Sequence, residues 1–216
     1  MTDKEIQNQF AVPQFKHLSD IARPRVAEMH DYQMRLQRNE KPEPWPETTL
    51  IEIIKSADPA LVNQYPNPAP FLDSLESFIG LDRQSISITS GIDEAIRNIL
   101  TLFAQPGDSF ASPPGYAMYP VYGKVLGREH VSIEYHPNYF MRPAELIDAL
   151  PANVKIVFIP NPNQPIENVF NFAELTELAS LCGSSNRLLV VDEAYHFFGA
   201  DSAIPLVQQF KCVLVM

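Results

Sequence analysis

The chain has 216 residues, a formal net charge of -10, 45% hydrophobic residues and 19% charged residues. This composition indicates a globular protein, and the acidic balance argues against a nucleic-acid partner. No apolar run approaches the roughly 20 residues that span a bilayer, and the polar N-terminus lacks the apolar core of a secretory signal. We therefore expect a cytoplasmic protein without nucleic-acid or membrane partners, in which Cys182 and Cys212 are reduced.

The first part of the chain is irregular, and we assign residues 1–63 to an N-terminal arm and small-domain segment. A helix is expected over 26–38. The alternating prolines of 41–46 remove backbone donors and favour an extended segment, which would pack on its own subunit or on a partner. Residues 64–216 form the second predicted domain.

Hydrophobic periods in this second domain alternate between helix and strand. The predicted helices are 72–79, 92–103, 143–150 and 173–182, and the predicted strands are 86–89, 109–112, 131–135, 155–159, 188–191 and 212–215. Short apolar strands separated by helices indicate a mostly parallel sheet that is covered on both faces. The predicted fold class is therefore α/β, with three layers: helices, a mostly parallel sheet, and helices. The chain has no G-x-G-x-x-G motif, which weakens a dinucleotide-binding interpretation.

Two polar side chains, Asp192 and Tyr195, follow the apolar strand 188–191. Ligands of open α/β sheets bind outside the carboxyl ends of the strands. An aspartate there can keep a ring nitrogen protonated, because opposite charges stabilise one another, and a tyrosine can donate to a ring oxygen. The alternative is that Asp192 caps a following helix. The residue order Asp-Glu-Ala-Tyr after an apolar strand favours the ligand-binding interpretation.

The start of the predicted helix 92–103 suits an anion. Free N–H groups and the positive end of the helix dipole bind phosphate, and Gly91 allows close backbone approach. The alternative is a capping box between Ser90 and Asp93, which requires no ligand.

Two loops offer further ligand contacts. In loop 113–119, Tyr116 can stack on a flat heterocycle, whereas we expect Tyr119 to pack in the core. Loop 160–168 is rich in proline and amide side chains, which restrict the chain and offer both donors and acceptors. The five histidines show no metal-ligand spacing, so no metal site is predicted. His196 is expected to be a buried structural histidine.

Together these segments resemble the class I/II aminotransferases of fold type I, which depend on pyridoxal 5'-phosphate (PLP), and within them the histidinol-phosphate aminotransferases. The similarity rests on the family motifs T-x-G-x-D-E-A-I, P-x-Y-x-M-Y, N-P-N-N-P-T-G and D-E-A-Y. The resemblance implies a cofactor site with contacts to the PLP phosphate, ring face, ring nitrogen and ring oxygen. In that order, the residues implied are Gly91, Ile92 and Asp93; Tyr116; Asp192; and Tyr195 with Gln164.

Two motifs of the arm extend the resemblance. The run 36–42 is similar to L-x-x-N-E-N-P, a strap near the substrate entrance, which implies that Asn39 binds substrate. The pair Tyr65-Pro66 is similar to R-Y-P, whose tyrosine reaches the PLP phosphate of the neighbouring subunit. The resemblance therefore implies a homodimer in which Tyr65 is a cofactor ligand.

The chain departs from the family pattern in loop 160–168 and at its end. Gln164 replaces an asparagine, and Ile166 and Glu167 replace a Thr-Gly pair. In the family, the Schiff-base lysine follows the strand aligned with 212–215, so no catalytic residue is assigned in this chain. We expect the front part of a longer enzyme that is inactive by itself.

The resemblance implies that the complete enzyme transfers an amino group between a 2-oxo acid and an amino acid or primary amine, similar to histidinol phosphate. One alternative is a PLP-dependent decarboxylase on the same fold, such as one acting on threonine phosphate. Another is a non-catalytic remnant that binds a partner or PLP loosely.

Overall fold

A computed structural model describes residues 46–135, 141–166 and 168–216. Within these residues the chain forms two compact units, one ending at Ser87 and the other spanning Ile88–Met216. The predicted division of the chain after residue 63 stays a prediction.

The first unit contains two α-helices, α1 (Glu47–Ser56) and α2 (Ala69–Ile79). The predicted helix 72–79 is confirmed as α2, which starts earlier because a proline is favourable in the first turn. Helix α1 was not predicted, although Leu50, Ile53 and Ile54 have the i, i+3, i+4 spacing of one helix face. The predicted helix 26–38 and Asn39 lie outside the described residues.

The second unit is built on a parallel sheet of five strands in the order β2-β1-β3-β4-β5. The strands are β1 (Ser109–Ser112), β2 (Glu129–Ser132), β3 (Val154–Pro160), β4 (Leu188–Asp192) and β5 (Val213–Val215). Strands β3 and β4 are almost wholly buried, as expected where helices cover both faces of a sheet. The predicted α/β class is confirmed.

Five α-helices accompany the sheet: α3 (Gly91–Phe103), α4 (Met118–Leu126), α5 (Pro143–Asp148), α6 (Phe172–Ser184) and α7 (Ile204–Val207). Because successive strand residues point to opposite faces, β3 contributes Val157 to one core and Phe158 to the other. Helices α5 and α6 pack in the first core, and α3 and α4 in the second. The result is three layers. No helix within the described ranges has the length and apolar character to cross a membrane.

Two predicted strands differ from the structure. Residues 86–89 do not form a strand, because no neighbouring strand in the described part of the chain pairs with them and the Ile88 side chain is 53% exposed. The strand predicted over 131–135 runs instead over Glu129–Ser132, where it pairs in parallel with all four residues of β1. In both cases the partner strand decides the outcome.

Helix α4 lies close to the sheet at Gly123. A Cβ atom placed on Gly123 would lie 2.7 Å from the Phe110 ring and 2.9 Å from the carbonyl oxygen of Arg128. Real Cβ atoms do not approach other atoms so closely, so α4 sits against β1 only because this residue has no side chain. Gly183 in α6 is a matched case with more room, since its Cβ would meet only the Cys212 Sγ, at 3.2 Å.

We expect Gly123→Ala to lower the free energy of unfolding by about 1–3 kcal/mol through overpacking. Gly183→Ala is the control and should change it by less than about 1 kcal/mol, because alanine also favours the helix. Urea unfolding followed by circular dichroism measures both. Equal effects of the two substitutions would show that the close contact at Gly123 is not what limits the packing of α4.

Candidate cofactor site

The carboxyl ends of β3 and β4 lie side by side, with Pro160 paired to Asp192. A cavity of about 200 Å³ opens at this end of the sheet. Its lining residues come from the start of α3, the loop before α4, and the loops that follow β3 and β4. They are Ile92, Tyr116, Pro160, Pro162, Asn163, Gln164, Asp192, Ala194 and Tyr195. Five of the eight residues predicted to bind the cofactor therefore border one cavity.

Asp192 is the buried acid of this cavity. Its side chain is 6% exposed. Oδ1 accepts a hydrogen bond from the Ala194 N–H at 3.1 Å, and Oδ2 accepts one from the Tyr119 hydroxyl at 2.6 Å. Burial raises the pKa of Asp192, and these two hydrogen bonds oppose the rise. Each carboxylate oxygen keeps accepting capacity, so the group can also bind a donor in the cavity.

The alternative that Asp192 caps a helix is wrong. The turn after β4 is a short 3-10 helix, His196–Phe198, and its N-cap residue is Tyr195. The neighbouring carboxylate of Glu193 stabilises the chain further on, because it accepts hydrogen bonds from the Ser202 hydroxyl at 2.9 Å and the Ala203 N–H at 2.6 Å. Asp192 is thus left to face the cavity.

Tyr119 was not predicted as a site residue. Its ring is fully buried and packs in the core, as expected, at 5.0 Å from the Phe158 ring and 6.1 Å from the Tyr116 ring. Its hydroxyl also donates to Asp192. Burial, followed by the charge of Asp192, raises the pKa of Tyr119 well above its usual value, so the hydroxyl stays protonated. No local spacing in the sequence signals this contact across 73 residues.

Tyr116 is held at the edge of the cavity by the start of α3. Its hydroxyl donates to Asp93 Oδ1 at 2.6 Å. The alternative, a capping box between Ser90 and Asp93, is therefore wrong: Ser90 makes no side-chain cap, and its N–H donates to Glu94 Oε2 at 2.6 Å. Asp93 accepts from Tyr116, 23 residues away, and Glu94 accepts from the Ser90 N–H instead.

The first turn of α3 leaves backbone donors available. Gly91 has a φ of 76°, which favours glycine, and its N–H donates to the Thr89 carbonyl at 2.8 Å. Within the described residues, the N–H groups of Ile92 and Asp93, which have no acceptor within the helix, donate to no other backbone or side-chain oxygen. Two donors and the positive dipole end thus remain for an anion. The predicted contact of the Gly91 N–H is already occupied, whereas those of Ile92 and Asp93 are open.

Asn163 joins the two loops that flank the cavity. Its side-chain amide donates to the Pro114 carbonyl at 2.9 Å and to the Tyr135 hydroxyl. Its Oδ1 is buried without a hydrogen-bond partner among the described residues. A Cβ atom on Gly115 would lie 2.5 Å from that oxygen, so the close approach of the loops requires glycine.

Gln164 and Tyr195 meet across the cavity. The Tyr195 hydroxyl donates to Gln164 Oε1 at 3.4 Å. Glutamine therefore reaches the tyrosine that it was predicted to work with, although its side chain is longer than that of the asparagine usual in the family. His196, predicted to be buried, is partly exposed, and its Nδ1 lies 3.9 Å from Glu193 Oε2.

Tyr65 belongs to the first unit and is fully exposed. Asn39 is outside the described residues. No cluster of side chains with metal-binding composition occurs in the described ranges.

Comparison with known proteins identifies the family. The chain matches the family model described as aminotransferase class I and II over residues 32–216. The chain belongs to this family. It is 29% identical over 189 residues to the histidinol-phosphate aminotransferase of Thermoanaerobacter pseudethanolicus, covering 86% of this chain and 53% of that protein. It is 31% identical over 160 residues to that of Buchnera aphidicola subsp. Schlechtendalia chinensis, covering 72% and 44%. This aminotransferase chain thus spans about half the length of the curated relatives it matches.

Solved aminotransferases share the fold. An aspartate aminotransferase from Thermus thermophilus (a tetra mutant) superposes with a TM-score of 0.69 and 22% identity, over 82% of this chain and 52% of that one. The histidinol-phosphate aminotransferase of Sinorhizobium meliloti, crystallised in complex with PLP, superposes with a TM-score of 0.66 and 21% identity, over 79% and 47%. At these identities the likeness concerns the fold.

The raised pKa of Asp192 determines how the free energy of unfolding of this aminotransferase chain changes with pH. A carboxyl group whose pKa is higher in the folded than in the unfolded chain stabilises the folded state below its unfolded pKa. That contribution is lost as the pH rises through the folded pKa. We therefore expect the free energy of unfolding of the wild type, minus that of Asp192→Asn, to fall as the pH rises from 3.8 through the raised pKa, and then to stay constant.

Urea unfolding of both proteins between about pH 3.5 and pH 8 measures this difference. A difference that grows with pH over the same window would mean that hydrogen bonding outweighs burial and that the pKa of Asp192 is lowered.

Proposed function

We propose that this chain contributes the PLP-binding part of an aminotransferase. The main observation behind this proposal is the buried Asp192 carboxylate. It lines a cavity at the carboxyl end of a parallel strand, beside Tyr116, Gln164 and Tyr195. Membership of the class I and II aminotransferases supports the assignment. The solved relative from Sinorhizobium meliloti that contains PLP supports the choice of cofactor.

The residues present fit PLP in their chemistry. The N–H groups of Ile92 and Asp93, at the positive end of a 13-residue helix, would hold the phosphate. Tyr116 would cover the ring, with its hydroxyl anchored on Asp93. These groups would bind and orient the cofactor.

The other end of the cavity would bind the polar atoms of the ring. Asp192 would accept from the protonated ring nitrogen, and the opposite charge there would offset the cost of burying the carboxylate. The Gln164 amide N–H groups would donate to the ring oxygen, and the Tyr195 hydroxyl would turn from Gln164 Oε1 to donate to it as well. When bound, PLP supplies an electron sink for the charge that develops on the substrate carbon. Asp192 would sustain that role by holding the proton on the ring nitrogen.

We expect Asp192→Asn to weaken cofactor binding by about tenfold or more, the equivalent of ~1.4 kcal/mol, because the amide removes the charge opposite the ring nitrogen. The probe is pyridoxamine 5'-phosphate, whose lack of an aldehyde prevents reaction with surface lysines. Equilibrium dialysis against the 216-residue chain gives the affinity.

Asp148→Asn is the matched control, because Asp148 ends α5, is exposed and does not line the cavity. Its affinity for the probe should equal that of the wild type. Equal affinity of Asp192→Asn and wild type would overturn the assignment of Asp192, and loss of affinity in both variants would show that overall charge is responsible.

We propose that the reaction is transfer of an amino group from an amine similar to histidinol phosphate, or from an amino acid, to a 2-oxo acid. The similarity to histidinol-phosphate aminotransferases supports this choice. A binding function without catalysis is the second candidate for the chain by itself. It is favoured by one observation: no lysine of the described residues lines the cavity.

The substrate proposal is tested on a form of the protein that spans the full length of its curated relatives. With PLP, histidinol phosphate and 2-oxoglutarate, we expect one molecule of glutamate to form for each molecule of histidinol phosphate consumed. A coupled assay measures the glutamate. Threonine phosphate should release no carbon dioxide. Carbon dioxide release would instead support a decarboxylase, and cofactor binding without either product would support the binding function.

We further propose a homodimer in which Tyr65 contacts the cofactor phosphate of the neighbouring subunit and Asn39 contacts substrate. The full exposure of Tyr65 supports its availability to a second chain. A cytoplasmic location is supported by the free thiols of Cys182 and Cys212.

A further inference from the structure

The hydroxyl of Tyr119 is a buried polar group that core packing does not require. Its ring belongs to the apolar core under α3 and α4 and contacts Phe158. A phenylalanine would fill nearly the same space without burying a hydroxyl, which costs free energy unless the hydroxyl is paired. This hydroxyl donates a hydrogen bond to Asp192 Oδ2, at 2.6 Å.

We infer that Tyr119 is a positioning residue, whose hydroxyl holds the Asp192 carboxylate oriented towards the cavity and ready to accept from a cationic ring. This inference rests on the proposed function. The Ala194 N–H holds Oδ1 and Tyr119 holds Oδ2, so both oxygens are restrained from different elements. A carboxylate with only one restraint could rotate about its Cβ–Cγ bond and present a different edge to the cavity.

The hydroxyl also acts on the charge of Asp192. Burial favours the neutral acid, whereas a donor to the carboxylate favours the charged form. Because the pKa of Tyr119 is raised well above its usual value, Tyr119 remains a donor at every pH at which Asp192 titrates. Removing the hydroxyl should therefore raise the pKa of Asp192 further.

Other titratable groups near the cavity do not replace this contact. Tyr116 and Tyr195 line the cavity, but their hydroxyls are directed to Asp93 and Gln164. The carboxylate of Glu193 accepts from Ser202 and Ala203, just before α7. The lining residues from α3 and β3 carry no titratable group.

The test compares Tyr119→Phe with Tyr122→Phe, which removes a tyrosine hydroxyl from the same helix at a partly buried position outside the cavity lining. Carboxyl-carbon NMR of the 216-residue chain follows the titration of Asp192, whose signal is assigned by its absence in Asp192→Asn. We expect the midpoint of Asp192 to rise by about one pH unit, a tenfold change in protonation, in Tyr119→Phe. It should stay unchanged in Tyr122→Phe.

A double-mutant cycle separates positioning from general packing. At neutral pH, Tyr119→Phe should weaken binding of pyridoxamine 5'-phosphate about three- to tenfold in the wild-type background. It should have no effect in the Asp192→Asn background. Equal losses in both backgrounds, or an unchanged Asp192 midpoint, would overturn the role of Tyr119.

Two further comparisons keep the outcomes distinct. If Tyr119→Phe does not fold, a fluorinated tyrosine placed at position 119 retains the ring and makes the hydroxyl a stronger donor. The Asp192 midpoint should then fall, and a midpoint that does not move contradicts the inference. If Asp192→Asn itself leaves probe affinity unchanged, the proposed cofactor assignment fails. If only Tyr119→Phe is without effect, the assignment stands and the role of Tyr119 fails.

Discussion

The candidate site depends on the buried Asp192 carboxylate at the end of β4. Asp192 is the last residue of β4, and burial opposes its ionisation. A buried charge persists in proteins only where hydrogen bonds or an opposite charge compensate for lost hydration. Tyr119 and Ala194 provide part of that compensation, and the cavity borders the same group. In the proposed function, a protonated ring nitrogen in the cavity would provide the remainder.

Hydrogen bonds between distant segments give the cavity its shape. The Tyr116 hydroxyl connects the loop before α4 to Asp93 at the start of α3, and the amide of Asn163 connects the loop after β3 to the Pro114 carbonyl. Each contact joins segments that meet only when the parallel sheet is assembled. The orientation of the candidate ligands is therefore set before a cofactor binds, which reduces the ordering that binding must impose.

The elements that were predicted correctly are those whose signal is local. The helix over Gly91–Phe103 presents Ile96, Ile99 and Leu100 to the core at helical spacing, and the apolar run that became β4 is too short for a helix and rich in β-branched residues. The strand expected over 86–89 failed for the complementary reason. Alternation of apolar residues indicates an extended segment, but a strand also requires a neighbour, and in the described part of the chain none pairs with it.

By itself, the sequence determined the α/β class, the position of Asp192 at a strand end and the start of a helix near Gly91, because each follows from patterns within about ten residues. Only the tertiary structure decided which partners these groups have. The partner of Asp93 is Tyr116 and not Ser90, and the partner of Asp192 is Tyr119, 73 residues away in sequence. The physical reason is that hydrogen bonds and burial depend on distance in space, and segments far apart in sequence come within that distance only after the sheet and its helices have packed.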